Sequence, residues 1–470
     1  MTNKFTSDIV IGLEIHAELA TDSKLFCSCA TYGSDEPNSR TCEVCLGMPG
    51  SKPVLNKKAV EFALKLCMAL GCKISPELIF SRKNYFYPDM AKNYQISQYE
   101  IPLGVKGKLI LESGKEIGIT RVHMEEDPAA LIHPGGMMES PYVLVDYNRS
   151  GDPLAEIVTE PELTSPEEAR DFMKKLISIL QYLEIFDVSR CIIKADANIS
   201  IKESNYTRIE IKNITGFKEI ERALKYELER QKKAVEEGIQ LKQETRAWDN
   251  NKGITRALRK KEVEEEYGYI IDPDLTRIEI TDKWLKKIKD EMPELAQEKA
   301  EKFTREHKLK KEDAKVLAAD KQLAELFERV SKQVDPQIAA KWIRRELVRV
   351  LNYQKKSLKD VNEKYLIELL KMLQNKEITD KIGQKIIEEI VENQISPKEY
   401  VKEQGIKVIS GEKEIEKICK QVIKANPKPI EDYKAGNTKA LQFLIGQVMR
   451  ATKGQAAPAV LNKIFKKLVK

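Results

Sequence analysis

The sequence contains no long apolar run and no recognisable leader. None of its hydrophobic stretches approaches the roughly 18 residues that a membrane-spanning helix needs, although 41% of the 470 residues are hydrophobic. The opening MTNKFTSD has neither a basic segment nor an apolar segment of the kind that starts a secretory signal. The eight cysteines do not form the evenly spread framework of a small disulfide-rich protein. We therefore expect a cytoplasmic protein with no membrane partner.

Familiar signatures of phosphate and hydrolytic chemistry are also missing. The chain has no G-x-x-x-x-G-K-[ST] loop, no H-R-D catalytic loop, no G-x-S-x-G elbow and no H-E-x-x-H helix. A nucleotide would therefore have to be held by a different arrangement of phosphate-binding groups.

Residues 1–290 combine short strand-like runs with a few helical segments. Runs such as IVIGLEI and CIIKADANISI alternate apolar and polar residues, as strands with one wet face do. The segment SPEEARDFMKKLISILQYLEI begins with Ser165 and Pro166, a typical helix start. Because the strands and helices are mixed irregularly, the pattern predicts an α+β fold with a mixed or antiparallel sheet.

The C-terminal part of the chain has a different composition. Residues 291–400 read as successive helices rich in Lys, Glu, Leu and Ile, and predict an all-α helical domain. Residues 401–470 predict a small helical tail domain, which carries 15 Lys and Arg against 6 Asp and Glu, or +9, whereas the rest of the chain sums to −3. A basic tail indicates a polyanionic partner such as nucleic acid, or else a solvated lysine-rich helical surface.

A cysteine-rich segment predicts a metal site. FCSCATYGSDEPNSRTCEVCLGMPG contains Cys27-x-Cys29, twelve intervening residues and Cys42-x-x-Cys45. Two thiolate pairs joined by a turn-rich loop close a tetrahedral site, most often for zinc. Four buried reduced cysteines are the less favoured alternative, and the spacing does not separate zinc from iron. A site with four protein ligands has no open position, so its role is structural.

Polar residues of a second kind lie on strand faces. In DIVIGLEIHAEL, Glu14 and His16 share one face, because residues two apart in a strand point the same way. Similar alternation places His123 with Glu125 in GITRVHMEED. A predicted β-hairpin adds further residues of this kind: Asp196, Asn198, Arg208, Glu210 and Lys212. Carboxylates and imidazoles grouped in this way suit an oxygen-rich Mg²⁺ site, which serves phosphate chemistry; a solvated polar face is the alternative.

The run RKNYFYPDMAKNYQISQYE mixes aromatic and basic residues. This mixture is typical of surfaces that stack nucleotide bases or a tRNA 3′ end. A loop that packs over the sheet through its aromatic side chains has the same composition. The composition alone leaves both interpretations open.

Several long motifs resemble the B subunits of aspartyl/glutamyl-tRNA amidotransferases, the GatB family. The resemblance runs in order from Ile11 to the C-terminus through IGLEIHAEL, RKNYFYPDMAKNYQISQYE, RVHMEEDPA, VDYNRSGDPLAEIVTEP, DANISI, EIKNITGF, ETRAWD and GQVMRATKGQAAP. It implies a cradle-like catalytic domain over residues 1–290, a helical domain over 291–400 and a tRNA-binding tail over 401–470.

The resemblance also implies an activity and partners. Members of this family use ATP and Mg²⁺ to phosphorylate the side-chain carboxylate of Glu-tRNA(Gln) or Asp-tRNA(Asn), and ammonia then displaces the phosphate. The ammonia comes from a glutaminase, the A subunit, and the C subunit bridges the complex. The sequence does not distinguish the two tRNA substrates.

Site residues follow from the same resemblance. It implies Mg²⁺ ligation by Glu14, His16, Glu125 and Glu210, and Zn²⁺ ligation by Cys27, Cys29, Cys42 and Cys45. It assigns catalytic roles to Glu125, Glu126, Lys83, Asp196 and Asn198. The cations Arg208 and Lys212, on the same strand face, are the candidates for holding ATP.

Two functions of different classes remain at this point. The first is the ATP-dependent amidating enzyme. The second is a non-catalytic, zinc-containing scaffold that binds tRNA. A surface dedicated to RNA should not concentrate carboxylates, because each one repels phosphate. The placement of the strand carboxylates therefore discriminates the two functions.

Overall fold

The computed structural model describes residues 8–135, 140–258, 268–405, 412–434 and 438–452, with Leu461, Ile464, Phe465, Lys467 and Leu468. The chain divides into two compact units, residues 1–295 and residues 296–470. The first is built on a mixed sheet and the second is helical, which confirms the predicted α+β class. The end of the GQVMRATKGQAAP motif lies outside the described residues.

Over its described residues, the first unit contains the strands and four α-helices. Its strands are β1 (Ile9–Glu18), β2 (Lys73–Ile74), β3 (Glu77–Leu78), β4 (Ser81–Asn84), β5 (Tyr94–Ser97), β6 (Gly104–Ile110), β7 (Glu116–Glu126), β8 (Ala130–Ile132), β9 (Leu144–Asp146), β10 (Pro153–Thr159), β11 (Ile193–Ile201), β12 (Ile209–Thr215), β13 (Glu244–Asp249), β14 (Ile254–Ala257), β15 (Gly268–Ile271) and β16 (Ile278–Glu279). Its helices are α1 (Lys57–Ala69), α2 (Pro166–Tyr182), α3 (Phe217–Glu236) and α4 (Asp282–Asp290), with a 3₁₀ turn at Lys202–Ser204.

Nine strands form the main sheet, in the order β14-β13-β12-β11-β1-β10-β7-β6-β2. Neighbours pair antiparallel except β12 and β13, which are parallel. A parallel pair needs a long crossover, and α3 supplies it. The predicted hairpin is confirmed, because β11 and β12 pair antiparallel across the 3₁₀ turn.

Alternation along β1 separates the two faces of this sheet. Ile11, Leu13 and Ile15 are at most 1% exposed and belong to the main hydrophobic core. Helices α1, α2 and α3 pack on strands of the sheet and contribute apolar residues to the same core. Burial of this apolar surface provides the main driving force for the fold. Ile9 and Ala17 lie on the same buried face, and the remaining residues of β1 lie on the opposite face, which is only partly covered.

Capping residues fix where the first two helices begin. The Asn56 side chain accepts hydrogen bonds from two backbone N–H groups at the start of α1. Ser165 does the same once at the start of α2, where Pro166 occupies the first helical position. These side chains satisfy donors that have no partner within the helix. The start of α2 confirms the sequence-based prediction.

The aromatic and basic run that follows residue 81 becomes part of a small sheet. Strands β15, β4 and β5 pair in that order, so residues 81–84 and 94–97 form two strands joined by a loop. Tyr99 stacks on Tyr269 with ring centroids 3.9 Å apart. Phe86, in the connecting loop, is 87% exposed. The run therefore both packs within the domain and presents an exposed aromatic ring.

The second unit is helical over its described residues. Its helices are α5 (Ala296–Glu306), α6 (Lys311–Ala318), α7 (Lys321–Ser331), α8 (Pro336–Lys341), α9 (Val348–Gln354), α10 (Glu363–Gln374), α11 (Asp380–Asn393), α12 (Pro397–Glu403), α13 (Glu412–Ala425), α14 (Pro427–Lys434) and α15 (Thr438–Ala451). A π-helical segment (Trp342–Leu347) joins α8 to α9, and a 3₁₀ turn covers Leu358–Asp360. Residues from α13 and α15 form a separate small core with Leu461, Ile464 and Phe465. Within the described parts of the chain, each helix falls short of the length and apolar character needed to cross a bilayer.

Candidate metal centre and active site

A row of three charged or titratable side chains crosses the middle of the main sheet. In the strand register, His16 of β1 lies opposite Glu156 of β10, and Glu156 lies opposite His123 of β7. Side chains at paired positions of adjacent strands share a face. Glu156 is thus flanked by an imidazole on each side, on the face opposite the hydrophobic core.

The distances within this row correspond to direct polar contacts. The Oε2 atom of Glu156 lies 3.1 Å from Nε2 of His123 and 3.5 Å from Nε2 of His16. The second oxygen, Oε1, lies 3.7 Å from Nη2 of Arg121. The Glu156 and His123 side chains are 8% and 6% exposed, so this carboxylate is almost fully removed from solvent.

Two more carboxylates surround His16. Its Nε2 atom lies 3.4 Å from Oε1 of Glu125 and 4.0 Å from Oε1 of Glu14. Ligand atoms of Glu14, His16 and Glu156 all lie within 4.8 Å of one another. The same is true of His123, Glu125 and Glu156. The two groups share Glu156 and form one cluster of three carboxylates and two imidazoles, which we call the acidic cluster.

The charges of the acidic cluster perturb its protonation. Burial by itself lowers the pKa of His16, but its hydrogen bond to Glu156 and the nearby carboxylate charges outweigh burial and raise the pKa to about 10. Burial and the charge of Glu156 raise the pKa of Glu125 to about 6, against the opposing effect of His16. Burial and the same charge raise the pKa of Glu14. Burial opposes ionisation of Glu156 as well, yet the two histidines hold its pKa well below the usual range.

The donor set of the acidic cluster fits a divalent cation. Carboxylate oxygens with an imidazole nitrogen are ligands that Mg²⁺ and Mn²⁺ accept. Without a cation, these carboxylates repel one another in a poorly solvated site, as the raised pKa values of Glu14 and Glu125 show. The structure therefore brings together Glu14, His16 and Glu125 of the residues singled out as magnesium ligands from the sequence.

Glu156 was missed by the sequence analysis, although it lies at the centre of the cluster. Strand β10 reads PLAEIVT, and six of its seven residues are buried. A strand covered on both faces gives a nearly continuous apolar run, so the face of its single carboxylate is not evident from alternation. The feature that could have identified Glu156 as a site residue is that it is the one acidic residue within an otherwise apolar run.

Glu210 lies apart from the acidic cluster. Its Oε2 accepts a hydrogen bond of 2.9 Å from Thr245 Oγ1, and its Oε1 lies 3.6 Å from Nζ of Lys212. Lys212 in turn donates a 2.8 Å hydrogen bond to Oδ2 of Asp196. The structure thus groups Asp196, Glu210 and Lys212 in a second set on the neighbouring strands β11 and β12.

The second set adjoins the acidic cluster through the strand register. Asp196 pairs with Glu14, and Asn198 pairs with Glu210. The buried Oδ1 atom of Asn198 has no hydrogen-bond partner among the described residues. Burial opposes the charge of Lys212, but Asp196 and Glu210 outweigh it and raise the pKa of this amine. Lys212 therefore stays charged beside the acidic cluster.

The other predicted residues have separate environments. Glu126 is adjacent to Glu125 but binds Lys92 and accepts a 2.8 Å hydrogen bond from the backbone N–H of Ile96. Successive strand residues point to opposite faces, so Glu125 and Glu126 serve different environments. Lys83 lies on β4, and its positive charge offsets a small part of the rise that burial causes in the pKa of Glu125. Arg208 lies immediately before β12 and is exposed.

The four clustered cysteines converge in space. The Sγ atoms of the predicted ligands all lie within 4.8 Å of one another; these ligands are Cys27, Cys29, Cys42 and Cys45. The Sγ atoms of Cys42 and Cys45 are 3.9 Å apart. A tetrahedral zinc site with Zn–S bonds of about 2.3 Å requires S–S separations of about 3.8 Å. The thiol arrangement therefore fits such an ion, with no fifth protein ligand required.

The pKa values of the thiols in the cysteine site are shifted in different directions. A hydrogen bond from Cys27, opposed by burial and helped by the charge of Lys24, lowers the pKa of Cys45 to about 5. Lys24 is fully buried, and its ammonium group donates to the backbone carbonyls of Arg40 and Tyr147. Thiolate is the metal-binding form of cysteine. The hydrogen bond to Cys45 and burial raise the pKa of Cys27, and burial raises that of Cys29 to about 11. Of these three thiols, Cys45 alone is favoured as thiolate when no metal is bound.

The fold and the acidic cluster belong to a known class of catalytic domain. The family model described as the GatB/GatE catalytic domain matches residues 9–286, which contain the whole main sheet and both candidate metal sites. A second model, described as the GatB domain, matches residues 325–469. The chain belongs to the GatB family, as its motifs predicted.

Relatives of known name match the chain over nearly its full length. It is 44% identical to the B subunit of the aspartyl/glutamyl-tRNA(Asn/Gln) amidotransferase of Thermoanaerobacter pseudethanolicus, an alignment of 471 residues that covers 98% of both chains. It is also 44% identical, over 476 residues and 98% of both chains, to the protein of the same name from Thermotoga maritima. The corresponding protein of Carboxydothermus hydrogenoformans is 42% identical over 471 residues, again 98% of both chains.

Proposed function

We propose that the chain is the component of a tRNA-dependent amidotransferase that activates the side-chain carboxylate of Glu-tRNA(Gln), Asp-tRNA(Asn) or both. Activation consumes ATP and forms an acyl phosphate, and ammonia then displaces the phosphate to give the amide. The observation that carries this proposal is the acidic cluster on the polar face of the GatB/GatE-type sheet. An enzyme needs this concentration of carboxylates, whereas an RNA-binding scaffold would be weakened by it.

Four side chains of the acidic cluster and the nearby Lys212 have physical roles in this proposal. Glu14, His16, Glu125 and Glu156 would hold a divalent cation. The ligand atoms of Glu14, His16 and Glu156 converge, and Oε1 of Glu125 lies 3.4 Å from Nε2 of His16. Such a cation supplies the positive charge that lets a carboxylate and a triphosphate approach each other. Lys212 stays charged and lies beside this site, so it is placed to contact phosphate oxygens.

Glu126 and Lys92 suit a different step. Their ion pair is buried, with 4% and 10% of the respective side chains exposed. A buried polar path is a suitable entrance for ammonia, because it keeps water away from the acyl phosphate. We also assign Lys83 to this step, from the motif that it shares with the GatB family; its charge acts on Glu125, which lies on the other face of β7. Asp196 and Asn198 would orient groups at the opposite edge of the cluster.

We further propose zinc in the cysteine site, where it would hold the loop over residues 27–45 without taking part in the reaction. The B-subunit name of the relatives supports an assembly whose other members include a glutaminase (the A subunit) and a bridging C subunit. We assign the catalytic domain to residues 1–290, a helical domain to 291–400 and tRNA binding to the basic tail at 401–470. The separate small core of α13 and α15 supports a distinct tail domain.

Phosphate release without an ammonia donor tests the proposed function. The chain would be purified with its glutaminase and bridging partners and supplied with Glu-tRNA(Gln), γ-labelled ATP and Mg²⁺. We expect labelled phosphate whose release depends on the glutamyl group. Glu14→Gln should reduce this release on the order of 100-fold, because removing one group that stabilises charge in the transition state has an effect of about this size in other enzymes. The affinity for tRNA should stay within a few-fold of the parent.

Glu18→Gln provides the matched control. Glu18 lies on the same strand and face as Glu14, but its carboxylate accepts from the backbone N–H of Ile192 and lies outside the acidic cluster. This variant should retain phosphate release. If the parent protein binds tRNA but releases no glutamyl-dependent phosphate, the chain is a scaffold and the enzymatic proposal is wrong.

A further inference from the structure

His123 has no role in the site described so far, although it contacts the most central carboxylate. It lies directly opposite Glu156 in the register of β7 and β10. Its Nε2 atom is 3.1 Å from Oε2 of Glu156, closer than the 3.5 Å of His16 to the same oxygen. The side chain is 6% exposed, so water does not compete effectively for this contact.

The other edge of the imidazole ring indicates which nitrogen carries the proton. The Nδ1 atom of His123 is buried and has no hydrogen-bond partner among the described residues. An ionised carboxylate only accepts hydrogen bonds, so the 3.1 Å contact requires a proton on Nε2 of His123. Glu156 accepts this proton, and Nδ1 forms no competing contact among the described residues.

We propose that His123 is a positioning residue, which donates from Nε2 to Glu156 and so holds this carboxylate in the orientation that a divalent cation requires. The inference rests on the proposed metal site and adds a residue to it. Donation to Oε2 from the β7 side restricts rotation of the carboxylate and leaves His16, on the β1 side, free to coordinate the cation. Partners that orient a ligand in this way commonly change metal affinity 10–100-fold when they are removed.

Manganese binding by the full-length chain tests this proposal. His123→Leu removes the donor at similar volume, and we expect Mn²⁺ affinity to fall at least about 10-fold. His123→Gln retains an N–H donor near the position of Nε2. It should bind Mn²⁺ within about 3-fold of the parent, a loss of only about 0.7 kcal/mol at 1.4 kcal/mol for each tenfold change. His133→Leu is the control, because His133 follows β8 and lies outside the acidic cluster. Far-ultraviolet circular dichroism would establish that each variant is folded.

A spectroscopic measurement separates positioning from direct ligation. Pulsed electron paramagnetic resonance of bound Mn²⁺ counts coordinated imidazole nitrogens, and we expect one, from His16, in the parent and in both His123 variants. Loss of a nitrogen signal in the His123 variants would make His123 a ligand and overturn the proposal. Equal affinity of His123→Leu and the parent, or equally weak binding by folded His123→Gln, would also overturn it. Absence of Mn²⁺ binding by the parent would instead overturn the metal site itself.

Discussion

Replacing Glu156 with glutamine should lower the pKa of His16. The substitution keeps the side-chain size and removes the charge that lies 3.5 Å from the imidazole. Glu156 provides both a hydrogen bond and a charge to His16, whereas Glu125 and Asp196 provide charge alone. Loss of an opposite charge at this distance usually changes a pKa by about 1–3. We therefore expect the pKa of His16 to fall by about that amount from its value of about 10.

The free energy involved is large enough to measure. A rise in the pKa of His16 from 6.5 to about 10 corresponds to at most roughly 5 kcal/mol, at about 1.36 kcal/mol for each tenfold change. The ring is 23% exposed, and solvent reduces this figure. The expected change in Glu156→Gln is about 1.4–4 kcal/mol on the same scale.

The sign of the pH dependence follows from linkage. Because the folded state raises the pKa of His16, this group stabilises the fold fully below pH 6.5, and the contribution is lost as pH rises through about 10. Because the pKa of His16 is lower in Glu156→Gln, the stabilisation that this group provides should be fully lost at a lower pH than in the parent. Removing a buried charge also changes stability at every pH, so the slope with pH is the informative quantity.

Nuclear magnetic resonance and urea denaturation would measure the two effects. Imidazole signals would be followed from pH 6 to pH 11 in the presence of a chelator, with His16 assigned from the spectrum of His16→Gln. Unfolding free energies over the same range would give the slope. Glu160→Gln is the control, because Glu160 accepts instead from Thr120. An unchanged His16 titration in folded Glu156→Gln would refute the reasoning.

Three further predictions concern other parts of the chain. Cys29→Ser should reduce bound zinc from one equivalent to none, as measured by elemental analysis, because a structural site needs four ligands; retention of one equivalent would contradict the site. Lys92→Met leaves the carboxylate of Glu126 buried without its lysine partner and should lower the free energy of unfolding by about 3–5 kcal/mol. Lys108 is exposed, so Lys108→Met should lower it by less than about 1 kcal/mol. Equal urea midpoints for the two variants would contradict this difference. Deletion of residues 401–470 should weaken tRNA binding and reduce its salt dependence, without loss of ATP-dependent activation at saturating tRNA; unchanged affinity would make the basic charge an ordinary solvated surface.

The sequence predicted the elements in which local chemistry is strong. Alternation in β1 correctly assigned Ile11, Leu13 and Ile15 to the core and left Glu14 and His16 on the other face. The cap at Ser165 and the β11–β12 hairpin were similarly evident. The cysteine spacing predicted a group whose sulfur atoms do converge. These patterns depend on residues close in sequence, so they need little information about the rest of the chain.

The composition of the acidic cluster was harder to predict, because it depends on which strands are neighbours. Glu14 and Glu210 have similar alternating contexts, yet Glu14 adjoins Glu156 while Glu210 is held by Lys212 and Thr245. The order of strands in the sheet decides this difference. Glu156 itself was hidden in a buried strand whose apolar neighbours gave no indication of its face.

The sequence by itself determined the α+β class, the family, the polar face of β1 and the convergence of the cysteines, because alternation, capping and ligand spacing act over a few residues. Only the tertiary structure decided that β10 lies between β1 and β7. That arrangement puts Glu156 between His16 and His123, which are 107 residues apart in the chain. The physical reason is that charges interact through space, and burial amplifies the interaction once strand pairing has brought them within about 4 Å.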